Sequence, residues 1–509
     1  MDSTHRKQAE TKKASRKEQG APPSPGNGTG AGVDEGARAT TQADSANVYI
    51  KVWGDDPLNG TLLDRPAPGL PGGMLGIAIS GPAVPAGPYP VGTSEFRYWN
   101  AADALRRCAD YWAARLPSLT WKPSPSLPIF LDAGLDFNAY YDRRGLNFFH
   151  GATQDATVYS GESPDILCHE MGHAVLDALK PQLWNVASHE AAAFHESFGD
   201  ISAILAALQL RSNRTLILAE TDTVINGNSR LSRLAEQLGA AIRVRSPAAV
   251  EPDCLRNASN RFLYAAPLSL KSSAPASELS SEPHSFSRVF TAAFFDALSG
   301  MLAVASKQPT EEALLQVTAE MGDILVAGIR KAPVVSNFYA QVAAGMVGAA
   351  AAAHPAYPRV LKAAFIKRDI LSLQSATSVE SLGAASTGMF GAASESAYES
   401  DALAPMAFDG SHFGLGLRPL IVETPSQPRR IAASAGANEF GSLQAPNSEA
   451  AARGFCEELF KRGRVDCSGV VADEDRIDPM LGLKTHRLVE KKGAVHLQRM
   501  LCDCGLTHD

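Results

Sequence analysis

The sequence predicts a mixed α+β protein whose strands come first and whose helices follow. Three observations lead there. Between Val48 and His150, β-branched and aromatic runs are broken by Pro, Gly and turn residues, the signature of short strands. From Ser163 to about Leu373, Ala, Leu, Ile and Val recur at helical spacing. The 509 residues, 45% hydrophobic and 20% charged, supply enough apolar material for a core of ordinary size. That composition excludes a wholly disordered chain, a collagen and a small disulfide scaffold.

Residues 1–45 are polar, rich in Gly, Ser, Thr and Ala, and without periodicity, so they are expected to form a disordered tail. Residues 46–162 form the strand-rich part. Val48 to Trp53 reads as its first strand, and Asp55 to Thr93 as loops and short strands. Asn100 to Leu116 reads as an amphipathic helix capped by Asn100. Leu127 to Leu131, Phe137 to Tyr141 and Leu146 to His150 read as strands, the last two joined by the turn Asp142-Arg143-Arg144-Gly145. Residues 163–375 form the helical part, with helices expected over 164–180, 190–210, 285–305, 310–331, 335–352 and 357–371. Residues 376–450, rich in Ser, Ala and Gly, read as a linker. Residues 451–509 carry helical patches and more charge, in an extension whose role the sequence does not define.

The net charge of −7 gives no electrostatic reason to expect nucleic acid or an anionic membrane as partner. No apolar run is long enough to predict a transmembrane helix. The basic first eighteen residues lack the apolar core of a Sec signal peptide. The seven cysteines form no CxxC pair and read as free thiols. A cytoplasmic location is therefore expected, with leaderless export as the other route. Nothing in the sequence specifies an oligomeric state.

The informative stretch is His169-Glu170-Met171-Gly172-His173. On a helix, His169 and His173 stand one turn apart on one face, the spacing that lets two imidazoles hold one tetrahedral zinc. Glu170 then lies beside the metal, placed to take a proton from a water that the metal makes acidic. A second helical stretch, His195-Glu196-Ser197-Phe198-Gly199-Asp200, repeats the four-residue spacing with Glu196 and Asp200. Glu196 can complete a His2Glu site, and Asp200 can accept the other ring N–H of His169. Glu190 competes as third ligand. It ranks behind Glu196 because Phe194, not an acid, follows it by four residues. His189 and His195 are expected as surface or supporting residues.

HEMGH, with Glu196 23 residues after His173 and Asp200 one turn further, resembles the thermolysin family of gluzincin metallopeptidases. The resemblance spans roughly residues 95–375 and implies the family's two-lobed fold: a strand-rich N-terminal lobe, a helical C-terminal lobe, and one zinc ion in the cleft between them. It implies a zinc-dependent endopeptidase that acts on peptide or protein substrates with Glu170 as general base. It makes Asn138-Ala139 part of an edge strand that pairs with the substrate backbone. It also makes His284 a donor to the oxyanion, oriented by Glu278 or Glu282.

Trp184 stands at the offset where the family has a second oxyanion donor, a Tyr. Arg233, or less well Arg230, matches the arginine that holds the substrate carbonyl. Asp165 matches a carboxylate of a calcium site, but the other ligands of that site are not evident, so calcium is not a firm expectation. The interval to Glu196 is longer than the family's by three residues, and the family's signal and folded pro-segment are not seen. The alternative reading is a catalytically silent zinc-binding scaffold or interaction protein on a peptidase fold. An aminopeptidase would need groups for a free amine, and no motif specifies them.

Overall fold

The structure, a computed structural model, describes residues 48–70, 75–373, 403–426, 447–470 and 484–504. The tail expected over 1–45 lies outside them. The described residues form a mixed α+β fold. Ten helices run in order: α1 (Ser94–Ala113), α2 (Pro164–Leu179), α3 (His189–Ala207), α4 (Arg211–Glu220), α5 (Glu236–Arg243), α6 (Pro283–Ala305), α7 (Glu311–Lys331), α8 (Phe338–Ala350), α9 (Tyr357–Lys367) and α10 (Ser448–Lys461).

The six helices expected in the second part are α2, α3, α6, α7, α8 and α9, each within three residues at its start and four at its end. The first helix begins earlier than expected. Thr93, not Asn100, is its cap, its hydroxyl accepting the Phe96 N–H. Asn100 is buried in mid-helix. Its amide accepts from the Trp53 N–H and donates to the Glu162 carbonyl, tying the strand Tyr49–Trp53 to the segment that leads into α2.

The described residues also form two five-stranded sheets. In the first, Gly76–Ile79, Ser126–Phe130 and Leu146–Phe148 pair in parallel, and Ala139–Tyr141 pairs antiparallel with Leu146–Phe148. The fifth strand, outside Ala139–Tyr141, is Cys502–Asp503 from the far end of the chain. The second sheet, in the order Pro405–Phe408, Leu420–Glu423, Ala494–Arg499, His486–Lys491 and Val465–Asp466, draws on two segments expected to be a linker and an undefined extension. It has its own apolar core. Phe408, Leu420, Val422 and Val495 pack with Phe455 and Leu459 of α10, and with Ala187 and Ala192 at the start of α3.

Helices α2 and α3 lie in close contact at the centre of the main core. Two glycines permit this approach. A Cβ on Gly172 would stand 2.9 Å from the Cα of Gly199, and a Cβ on Gly199 would stand 2.6 Å from the His169 ring. Helix α6 is long and apolar enough to cross a membrane by length and composition, but here most of it is buried within the protein against α3, α7 and α9. All seven cysteines are free thiols.

Candidate metal centre

Helix α2 presents His169 and His173 on the face that meets α3, and α3 presents Glu196 to them. The His169 Nε2 lies 3.3 Å from Glu196 Oε2, and the His173 Nε2 lies 3.7 Å from Glu196 Oε1. Donors about 2.0–2.1 Å from a tetrahedral ion stand about 3.3 Å from one another, so the spacing matches a shared metal. None of His169 Nε2, His173 Nε2 and Glu196 Oε2 has a hydrogen-bond partner, although all three are buried. Burying such atoms unpaired is costly, and a cation between them would remove the cost. The donor set thus fits a divalent ion that accepts nitrogen and oxygen ligands. His169, Glu170 and His173 also form a buried group able to hold a metal.

Glu170 is fully buried and neither of its carboxylate oxygens is hydrogen-bonded. Burial, reinforced by the charges of Glu196 and Asp503, pushes its carboxyl well above the ordinary range. His173 is pulled well below the ordinary imidazole range by burial and by the neighbouring His169, so it is neutral, the form that ligates.

His169 and Glu196 have charged supports, whereas the Nδ1 of His173 is buried without a hydrogen-bond partner. Asp200 Oδ1 lies 2.9 Å from His169 Nδ1, which leaves Nε2 as the free lone pair. Arg256 clamps Asp200 through Nη2 to Oδ1 at 2.8 Å and Nε to Oδ2 at 3.3 Å. Burial opposes the Asp200 charge, but Arg256 and His169 outweigh it and hold the carboxyl well below its usual range. His284, in the first turn of α6, places Nε2 3.2 Å from Glu196 Oε2. Its Nδ1 is 2.7 Å from Glu282 Oε1. Burial disfavours the imidazolium, but Glu196 and Glu282 on either side raise His284 to about 9.

Several sequence expectations change here. Of the two acids proposed to orient His284, Glu282 does so. It also caps α6 through the Ser285 N–H, while Glu278 pairs with Lys271 at the surface. Glu190 is not a ligand. Its oxygens accept from the Tyr264 hydroxyl and the Tyr339 N–H. His189 pairs with Glu458 of α10, and His195 lies buried beside His173 and Cys502.

Arg233 is not at the centre. It pairs with Glu236 and reaches towards Glu220, and Arg230 pairs with Glu220 and Asp55. The arginine at the centre is Arg256. In the short ladder of Arg233–Leu234 with Arg256–Asn257, Arg256 is opposite Leu234. Neighbouring residues on a strand face opposite sides, so Arg233 is turned away. The Trp184 indole N–H is taken by the Arg499 carbonyl at 3.2 Å, and its ring packs edge-on to Tyr141, so it is no free donor to the centre.

Asn138 is buried, and its side-chain oxygen accepts from the Ala139 N–H. The Ala139 carbonyl accepts from Cys504 N–H at 2.9 Å, so the edge strand already has a partner. Asp165 lies a turn before His169 but faces elsewhere. It accepts the Ala235 N–H amid Asp55, Asp56 and Glu236.

A cavity of about 40 Å³ bounded by Glu196, His284, Glu282 and Asp503 adjoins the ligands, with room for water. Compared with known proteins, the chain matches no family model and no curated protein.

Proposed function

We propose that this protein is a zinc-dependent endopeptidase with the two-lobed arrangement of thermolysin-like enzymes. The observation that carries this reading is the coincidence, at one buried point, of two imidazoles and a carboxylate at metal-ligand spacing with an unpaired glutamate beside them. A purely structural site has no use for Glu170. His169, His173 and Glu196 would hold the zinc, which supplies Lewis acidity and a lowered pKa for water.

Glu170 takes a proton from the attacking water and passes it to the leaving amine. His284 Nε2 donates to the oxygen on which negative charge develops, held in place by Glu282. Asp200 and Arg256 fix the tautomer and direction of His169. The backbone of Asn138-Ala139 aligns the substrate as an added strand, which reads main chain and leaves side-chain choice to the flanking pockets.

A silent scaffold is the second reading, favoured by the strand that already covers Ala139–Tyr141. Peptide-library cleavage by the zinc-loaded chain, run beside Glu170→Gln at equal zinc content, separates the two. Internal cleavage lost in the variant supports the enzyme. No cleavage by either form supports the scaffold.

A further inference from the structure

The molecule supplies an occupant for its own groove. We propose that the chain is its own substrate and hydrolyses the peptide bond between Asp503 and Cys504 in cis. This rests on the endopeptidase reading and extends it to a particular bond.

Cys502–Asp503 runs antiparallel to the edge strand, with Cys502 opposite Tyr141 and Asp503 opposite Tyr140. Both polar atoms of the next peptide bond are held. The Asp503 carbonyl oxygen lies 2.6 Å from His284 Nε2, and the Cys504 N–H donates to the Ala139 carbonyl at 2.9 Å. That His284 nitrogen is itself 3.2 Å from Glu196 Oε2, so the carbonyl stands next to the ligands.

The segment is anchored on both sides of its backbone. Arg464 Nη2 donates to Asp503 Oδ2 at 2.6 Å, and Arg499 Nη1 donates to Cys502 Sγ at 3.1 Å. Cys502, Asp503 and Cys504 are all buried. The Cys502 thiol lies beside His173 and His195, the Asp503–Cys504 amide is held at His284, and the Glu170 carboxylate nearby is left unpaired. A bound, oriented amide beside an idle general base is the arrangement of a reactant complex.

Water adds across the C–N bond. Its oxygen becomes part of the new α-carboxylate of Asp503. Both of its protons end on the nitrogen of Cys504, carried by way of Glu170, and that nitrogen leaves as an ammonium group with Cys504–Asp509. No oxidant or further reactant is needed.

The test loads the full chain with one equivalent of Zn²⁺ and follows its intact mass at several protein concentrations, beside Glu170→Gln and beside cleavage of an external peptide library. The expected result is a product ending at Asp503, formed at a rate independent of concentration and absent in Glu170→Gln. An unchanged mass while library peptides are cut overturns self-cleavage and leaves the endopeptidase standing. An unchanged mass with no library cleavage overturns both. A rate proportional to concentration, or a cut elsewhere, overturns the cis assignment.

A readout free of catalysis uses the metal-free Glu170→Gln protein. Alkylation of Cys504 should be strongly slowed, and adding Arg464→Ala should speed it about tenfold through loss of a charge-assisted hydrogen bond. Alkylation of Cys504 at the rate of an unfolded thiol in Glu170→Gln overturns the proposal.

Discussion

Asp165 and His169 stand one turn apart on α2, yet each heads a different buried cluster of ionisable groups. Around Asp165 lie Asp55, Asp56 and Glu236, and each of these carboxylates has hydrogen-bond donors. Asp55 takes the Asp56 N–H, Asp56 takes the Leu58 and Gln237 N–H groups and the Ser163 hydroxyl, and Asp165 takes the Ala235 N–H. Around His169, Asp200 is paired with the His169 ring and with Arg256, but the atoms that face the middle are not paired. The difference separates two uses of buried charge. The acidic cluster ties the segment around Asp55 to the start of α2 and to α5, whereas the centre keeps its lone pairs for something that binds.

The largest effect that would break this contrast is at Glu170. Replacement by Gln should lower peptide hydrolysis by roughly 10²–10⁴-fold while zinc content, measured by elemental analysis, stays the same. Equal rates in both forms would place the centre in the same class as the acidic cluster. Next comes the metal. Zinc at about a thousand times its dissociation constant should add about 4 kcal/mol to wild-type stability, read as a rise in Tm. Glu196→Gln should lose most of that rise, whereas Asp165→Asn should keep it, because only the first removes a ligand.

A smaller effect tests the close approach of the helices. Gly199→Ala puts a Cβ 2.6 Å from His169 Cε1 and Nδ1, so it should cost about 1–3 kcal/mol and weaken zinc binding with it. Gly348→Ala, in an exposed part of α8 where a Cβ meets nothing within 4 Å, should instead stabilise by about 0.5–1 kcal/mol. Thermal unfolding with and without zinc reads both variants.

How much of this was legible in the sequence follows from range. The ligands, Glu170 and Asp200 obey a four-residue helical spacing, so their grouping needs only two helices that pack. Glu282 and Glu278 could not be told apart by spacing. Glu282 is selected because the same carboxylate caps α6 and meets His284. Arg256 was not foreseen, since its place depends on the register of a two-residue ladder, and a shift of one residue would have brought Arg233 inward. The strand Cys502–Asp503 is too short to show a period, and its pairing with Ala139–Tyr141 spans most of the chain. The second sheet is not legible because its short strands are divided between a segment rich in Ser, Ala and Gly and a charged extension, and they pair across long intervals.

The smallest predicted effect concerns the acidic cluster itself and its dependence on pH. Burial, with neighbouring Glu236 adding to it, raises Asp55 to about 7 and Asp56 to about 6. An unfolded aspartate titrates near 3.9. Between those values the folded chain holds protons that the unfolded chain has released, so stability must fall as pH rises from about 4 towards 7. Above that range Asp55 and Asp56 add nothing further to the slope. Burial and the charges of Asp55 and Asp56 hold the Asp165 carboxyl well above its ordinary range too, so Asp165→Asn, whose side-chain oxygen can still accept the Ala235 N–H, removes one group that keeps its proton in the folded chain, and the slope shrinks. Tm measured from pH 5 to 8 in wild type and Asp165→Asn, both free of metal, should show the steeper decline in wild type. Parallel curves would mean that Asp165 ionises in the folded chain as readily as in the unfolded one, and the contrast between the two ends of one helical turn would lose its electrostatic basis.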